Sequence, residues 1–217
     1  MGAKISKENI IRALLDASFF YSAGATSLKD VADRLGIKKA SLYNHFDSRE
    51  DLIKQTLASC ADYIQAITFT PKDIEAVAKQ YPPATVFKGI VNRFFKMHEK
   101  APLFQIYTFV ESQKYFSEDA ATIIKEENAK ISTQTLDVLT ALHTLGKITL
   151  PKRQLAGAAT WFCAGIKDLL NIYLLERKAI VVNNPDSGEG QLFSLPEDGS
   201  GLEKVGVFVD NFVNIIK

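Results

Sequence analysis

The chain has little of what would tie it to several common classes. Only two of its 217 residues are cysteine, Cys60 and Cys163, far apart on apolar helical stretches. That excludes a disulfide scaffold and reads as two buried thiols acting as small hydrophobes, with a redox switch as the alternative. Three histidines occur, His45, His98 and His143, and none stands at metal-ligand spacing. No metal and no cofactor are therefore expected, and His98 and His143 read as satisfied or exposed side chains. Phosphate-binding glycine loops, a His-Glu-x-x-His string and Ser/His/Asp or Cys/His groupings are all missing, so an enzyme is not expected. No unbroken apolar run approaches the roughly 20 residues of a membrane span, and no signal peptide is visible. A cytoplasmic protein without a membrane partner is the expectation. Internal repeats and low-complexity tracts are absent too.

Charge of one sign is also in short supply. Lys and Arg number 26 against 25 Asp and Glu, a formal balance of +1. A wholly basic nucleic-acid coat is excluded, so any surface for a polyanion must be local. The segment from Met1 to Lys54 carries nine cations against seven acids, +2, and the rest sums to −1. Charge alone would not single out a function.

What is present is apolar residues at helical spacing, 47% of the chain, enough for a sizeable core in one or two domains. The most informative stretch runs from Thr26 to Leu57. Ser27 can cap a first short helix, with Asp30 completing a capping box. Leu28, Val31, Ala32 and Leu35 form its apolar side. Gly36 ends it, because glycine accepts the left-handed conformation of a sharp exit, and Ile37 follows as an apolar plug. A second helix is predicted over Lys38 to Phe46, burying Leu42 and Phe46. Asp47 is the predicted cap of a third, with Glu50 at its third helical position. Ala32 is small where the two short helices cross, and Leu42 meets the core of the unit. This spacing marks a helix-turn-helix. The exposed face of the second helix carries Lys38, Lys39, Ser41, Tyr43, Asn44 and His45, with no acid between Gly36 and Phe46. Amines, hydroxyls and an amide on a short helix suit a major groove, where phosphates flank readable base edges.

The run Leu42-Tyr43-Asn44-His45-Phe46, followed by Ser48-Arg49-Glu50-x-Leu52 and preceded by Thr26-Ser27 and Val31-Ala32, resembles the DNA-binding head of the TetR family of bacterial transcriptional regulators. The resemblance covers about the first quarter of the chain. Two positions depart from the common pattern: Lys38 stands where a capping Ser or Thr is frequent, and Arg49 where Lys is usual. The first weakens the cap of the recognition helix; the second favours a bidentate phosphate contact. The resemblance implies Ser27, Lys38, Lys39, Ser41, Tyr43, Asn44, His45, Arg49 and Lys54 as DNA-contacting residues. Tyr43 and His45 would hold the backbone, and Lys38, Lys39, Ser41 and Asn44 phosphates or base edges. Lys54 reads equally as a solvated surface lysine.

Around this head the expected fold is all-α: a three-helix DNA-binding head with a helix-turn-helix over residues 1–54, and a larger helical effector-binding and dimerisation domain over 55–217. Met1 to Ile5 reads as a loose basic lead. A helix from Ser6 to about Ser22, closed by Gly24, packs across the two short ones. Further helices are expected from Asp47 to about Ile67, from Thr70-Pro71 to Pro82-Pro83, from Ala84 to Glu99, from Pro102, and from Phe116 to Leu145. Two more run from about 151 to 177 and from 202 to 216. The 179–201 loop is turn-rich, mobile or functional, and Ile180–Val182 and Gln191–Phe193 within it could pair as a hairpin.

The helices at 151–177 and 202–216 hold small residues, Ala156 to Ala159, Ala164 and Gly165, beside apolar stripes. The resemblance implies that they pair with a second subunit, making a homodimer on a palindromic operator; an intramolecular core is the alternative. It also implies a small-molecule effector in the middle helices, with Phe95, His98, Phe104, Tyr107, Trp161 and Asn171 as candidates. As residues, aromatics at helical spacing more often pack a core than line a pocket. The expected function is a ligand-responsive DNA-binding transcriptional regulator, a repressor. The competing reading is a DNA-binding or interaction factor of the same fold without an effector.

Overall fold

A computed structural model describes residues 5–183 and 199–217. Residues 1–4 of the expected lead and 184–198 of the expected loop, Gln191–Phe193 among them, lie outside the described residues. The described residues form nine α-helices and two short 3-10 turns, with no strand. The helices are α1 (Lys7–Ala25), α2 (Leu28–Arg34), α3 (Arg49–Ala66), α4 (Ile74–Gln80), α5 (Pro83–His98), α6 (Leu103–Gln113), α7 (Glu118–Thr144), α8 (Leu155–Asn183) and α9 (Gly199–Ile216). None is long and apolar enough to cross a membrane.

Two compact units emerge. One spans Met1–Ile67 and Ala101–Lys125, the other Thr68–Lys100 and Glu126–Lys217. The first unit therefore takes in α6 as well as α1 to α3. Phe19 of α1 meets Phe104 of α6 edge-on at 4.9 Å between ring centres. One turn earlier, Gln105 Nε2 donates to Asp16 Oδ1 at 3.3 Å. Ile10, Leu14, Phe19, Val31, Leu42, Leu52 and Leu57 fill the core. A pair of short helices could not bury that much apolar surface alone.

The ends of the elements follow from local chemistry. Ser6 and Asn9 close a capping box at the start of α1, and Ser27 and Asp30 close one at α2. At the end of α2 the Gly36 N–H donates to the Asp33 carbonyl and the Ile37 N–H to the Ala32 carbonyl, with Gly36 at φ 65°. That is the hydrogen-bond pattern of a Schellman turn, which needs a left-handed residue. Gly146 repeats it after α7 at φ 66°.

Several boundaries differ from expectation. The second helix of the pair is a 3-10 turn over Lys39–Asn44, not an α-helix to Phe46. Lys38 offers no side-chain cap, and six residues between two fixed ends favour the tighter i→i+3 winding. Ser48, not Asp47, caps α3, because its hydroxyl is the one that accepts the Asp51 N–H. Asp73, not Thr70, caps α4. Ile180–Val182 continue α8, so this half of the expected hairpin is helical. Without a glycine or proline before Asn183, nothing stops the helix at Arg177.

In the second unit, Phe87, Phe162 and Phe212 bring α5, α8 and α9 together with ring centres 4.6–5.4 Å apart. Phe69 packs edge-on to Phe94 at 5.0 Å. Its backbone is gripped from two sides. Arg93 Nη2 donates to the carbonyls of Thr68 and Phe69, and Gln134 Oε1 accepts from the N–H groups of Phe69 and Thr70. Both cysteines are buried free thiols, and burial pushes the Cys60 thiol up to about 12.

Candidate nucleic-acid interface

The Gly36 turn sets where the next residues point. With Leu42 and Phe46 drawn into the core, the intervening positions of the 3-10 turn face out. Lys38, Lys39, Tyr43 and Asn44 are exposed, and Ser41 and His45 half-buried. Tyr43 keeps 51% of its surface open to solvent. The six residues expected on this face thus stand on one short element whose inner side is pinned by two buried rungs.

Beside them lies an open hollow of about 570 Å³. Its lining includes Lys39 and Tyr43, Gly24, Thr26 and Ser27 from the α1–α2 junction, and Asp47, Ser48, Arg49 and Glu50 around the start of α3. The structure therefore gathers Ser27, Lys39, Tyr43 and Arg49 around a single depression. Lys38, Ser41, Asn44, His45 and Lys54 are not part of its lining. Lys54 is exposed on α3.

Ser27 is engaged in capping: its N–H donates to Asp30 Oδ2 at 2.7 Å and its hydroxyl accepts from the Asp30 N–H. The Ser27 N–H first, and then the Ser27 hydroxyl donating to Oδ2 at 2.7 Å, hold the Asp30 carboxyl below its ordinary range. Arg49 is also engaged. Its Nε donates to the Thr26 carbonyl at 3.2 Å, and Nη2 faces the carbonyls of Ala23, Gly24 and Thr26 at 2.5, 3.2 and 3.0 Å. Sequence reading did not find this clamp, whose partners lie 23 to 26 residues away and are backbone atoms. The departure from the usual lysine was its one visible sign.

A family model for bacterial regulatory proteins of the tetR family matches residues 21–56, the stretch holding the helix-turn-helix and the hollow. That stretch is a TetR-family segment. Over 42 residues it is 48% identical to the biofilm operon negative transcriptional regulator IcaR of Staphylococcus aureus, a match covering 19% of this chain and 23% of that protein. Over 127 residues it is 28% identical to the transcriptional repressor KstR2 of Mycobacterium tuberculosis, covering 58% of this chain and 61% of that one. The chain thus spans about a quarter of IcaR and under two thirds of KstR2. A TetR transcription regulator from Haloarcula marismortui shares the fold across 97% of both chains, with a TM-score of 0.59 at 14% identity. The likeness of fold therefore extends through both units, while the family model matches residues 21–56 alone.

The six effector candidates do not share one surrounding. Phe104 and Tyr107 are buried in the first unit and Phe95 and His98 in the second, whereas Trp161 and Asn171 are exposed on α8. His98 Nδ1 lies 2.8 Å from the Phe94 carbonyl. Burial lowers its pKa to about 4, against the opposing pull of Glu127. Glu127 and Lys167 form an ion pair at 2.5 Å with both side chains nearly closed to solvent.

Proposed function

We propose that the protein is a transcriptional regulator, a repressor, that holds a two-fold symmetric DNA operator as a homodimer and responds to a small-molecule effector. The observation that carries this reading is the acid-free outer face of residues 38–45. It is fixed by the Gly36 turn and lies within the segment that matches the family model. Residues 1–54 would contact DNA, and 55–217 would dimerise and take the effector. Tyr43 and His45 would grip the backbone. Lys38, Lys39, Ser41 and Asn44 would meet phosphates and base edges. Half-site centres would lie about 34 Å apart, one helical turn, or a multiple of it.

Dimerisation is supported by the outer face of α8. Gly157, Trp161, Ala164, Asp168, Ile172, Leu175, Ala179 and Val182 recur at three- and four-residue spacing, all exposed and all but one apolar or small. Val207 and Ile215 add exposed apolar side chains on α9. Trp161 and Asn171 fit this face better than an effector site. The effector reading then leans on buried polar groups among aromatics in the second unit, His98 against the Phe94 ring above all. The reading without an effector draws support from Phe95 and Phe104, both fully enclosed.

Selection of bound duplexes from a random DNA pool tests the main reading. Fluorescence anisotropy on the best duplex follows. Tyr43→Ala and Lys39→Gln should weaken binding across sequences, and Asn44→Ala should change which duplexes are preferred. Unchanged affinity and preference in all three would overturn it. A compound screen for release of the duplex separates the effector reading from its competitor.

A further inference from the structure

Arg49 opens α3 at a position where a lysine is usual, and its half-buried guanidinium is turned onto backbone carbonyls. Nη2 carries only two N–H groups and already faces three carbonyls, and Nε is spent on Thr26. The Nε–Nη2 edge, one of those that could grip a phosphate with two hydrogen bonds, is occupied by backbone carbonyls.

The turn that it holds is itself unusual. Ser22 sits at φ 71°, ψ 158°, inside what is otherwise one helix. This region is nearly confined to glycine, and other residues persist there only where the surroundings over-determine them. Thr26 closes the turn from within, its N–H and its hydroxyl both donating to the Ser22 carbonyl at 3.1 and 2.7 Å. Arg49 closes it from outside through the next carbonyls along. Gly24 and Thr26, whose carbonyls it holds, also line the hollow that Lys39 and Tyr43 line.

We propose that Arg49 is a positioning residue for the nucleic-acid face. Its fork locks the Ser22–Thr26 turn to the start of α3 and so fixes the spacing between Ser27 and the Lys39–Tyr43 side, without itself binding phosphate. This rests on the DNA-binding reading above, and the test keeps the two apart.

The probe is the best duplex recovered from the random pool, titrated over a series of salt concentrations. Each phosphate contact contributes about 0.9 to the slope of log affinity against log salt. Arg49→Gln should weaken binding about tenfold through the loosened turn, as expected for loss of charge-assisted hydrogen bonds, and leave that slope unchanged. Arg49→Lys, which keeps the charge and loses the fork, should also weaken binding with the slope unchanged. The Arg49 Nε–H resonance should hold its chemical shift when duplex is added, a readout that needs no variant and stands if Arg49→Gln fails to fold. A slope lowered by about 0.9 in Arg49→Gln, wild-type affinity in Arg49→Lys, or a displaced Nε–H signal overturns the assignment. If the wild type binds no duplex, or Tyr43→Ala binds as well as wild type, the DNA-binding reading falls and this proposal with it. If Tyr43→Ala weakens binding while the Arg49 results go the wrong way, only the role of Arg49 is lost.

Discussion

Gly165 of α8 lies against the ring of Phe208 on α9: a Cβ built on the glycine would stand 2.5 Å from Phe208 Cε2. The two helices approach this closely because position 165 has no side chain, and Phe208 is held in turn by Phe162 at 5.6 Å between ring centres. Gly165→Ala should cost about 1–3 kcal/mol as an overpacking change, read as a lowered urea midpoint. Gly89→Ala on α5 is the control. Nothing lies within 4 Å of its added Cβ, so it should stabilise by about 0.5–1 kcal/mol.

Ser22 supplies a prediction of the opposite sign. Glycine occupies φ 71°, ψ 158° without steric penalty, whereas serine there costs on the order of 1–3 kcal/mol. Ser22→Gly should raise the thermal midpoint, though the unfolded chain gains freedom and its Oγ bond to the Ala25 N–H is lost. An unchanged or lowered midpoint would mean that the hydroxyl matters more than the backbone.

The buried His98 predicts how the second unit responds to acid. Its pKa is lowered to about 4 in the folded protein, first by burial, against about 6.5 when unfolded. Between those values the unfolded chain binds the proton and the folded chain does not. Stability is therefore fully present above pH 6.5 and declines as pH falls toward 4, by on the order of 3 kcal/mol. Urea midpoints measured across that window should fall, and His98→Gln should flatten the curve.

The exposed face of α8 predicts the assembly state. Leu175 is 59% open to solvent and Trp161 48%, a costly display unless a second copy covers it. Leu175→Glu should convert a dimer into a monomer in sedimentation velocity, leave the helical circular dichroism unchanged and weaken binding to a two-fold operator. A wild-type monomer at micromolar concentration would argue against the face.

Much of this was legible in the residues. The capping box at Ser27, the turn at Gly36, the buried Leu42 and Phe46 and the open Tyr43 all follow from spacing, because each depends on neighbours within a few positions. The 3-10 winding of Lys39–Asn44 was half visible in the missing cap at Lys38. The continuation of α8 through Ile180–Val182 was not, since β-branched residues lower helix propensity only slightly and packing overrides them.

By itself the sequence determined an all-helical chain, the place of its helix-turn-helix and the side chains that its outer face presents. Local periodicity and glycine chemistry are enough for that. Only the tertiary structure decided that Arg49 turns inward onto Ala23, Gly24 and Thr26, that α6 joins the first unit through Phe104, and that Trp161 faces out while Phe162 fills the core. Those outcomes depend on atoms brought together from distant parts of the chain. A charged fork meeting backbone carbonyls leaves no pattern in the order of residues.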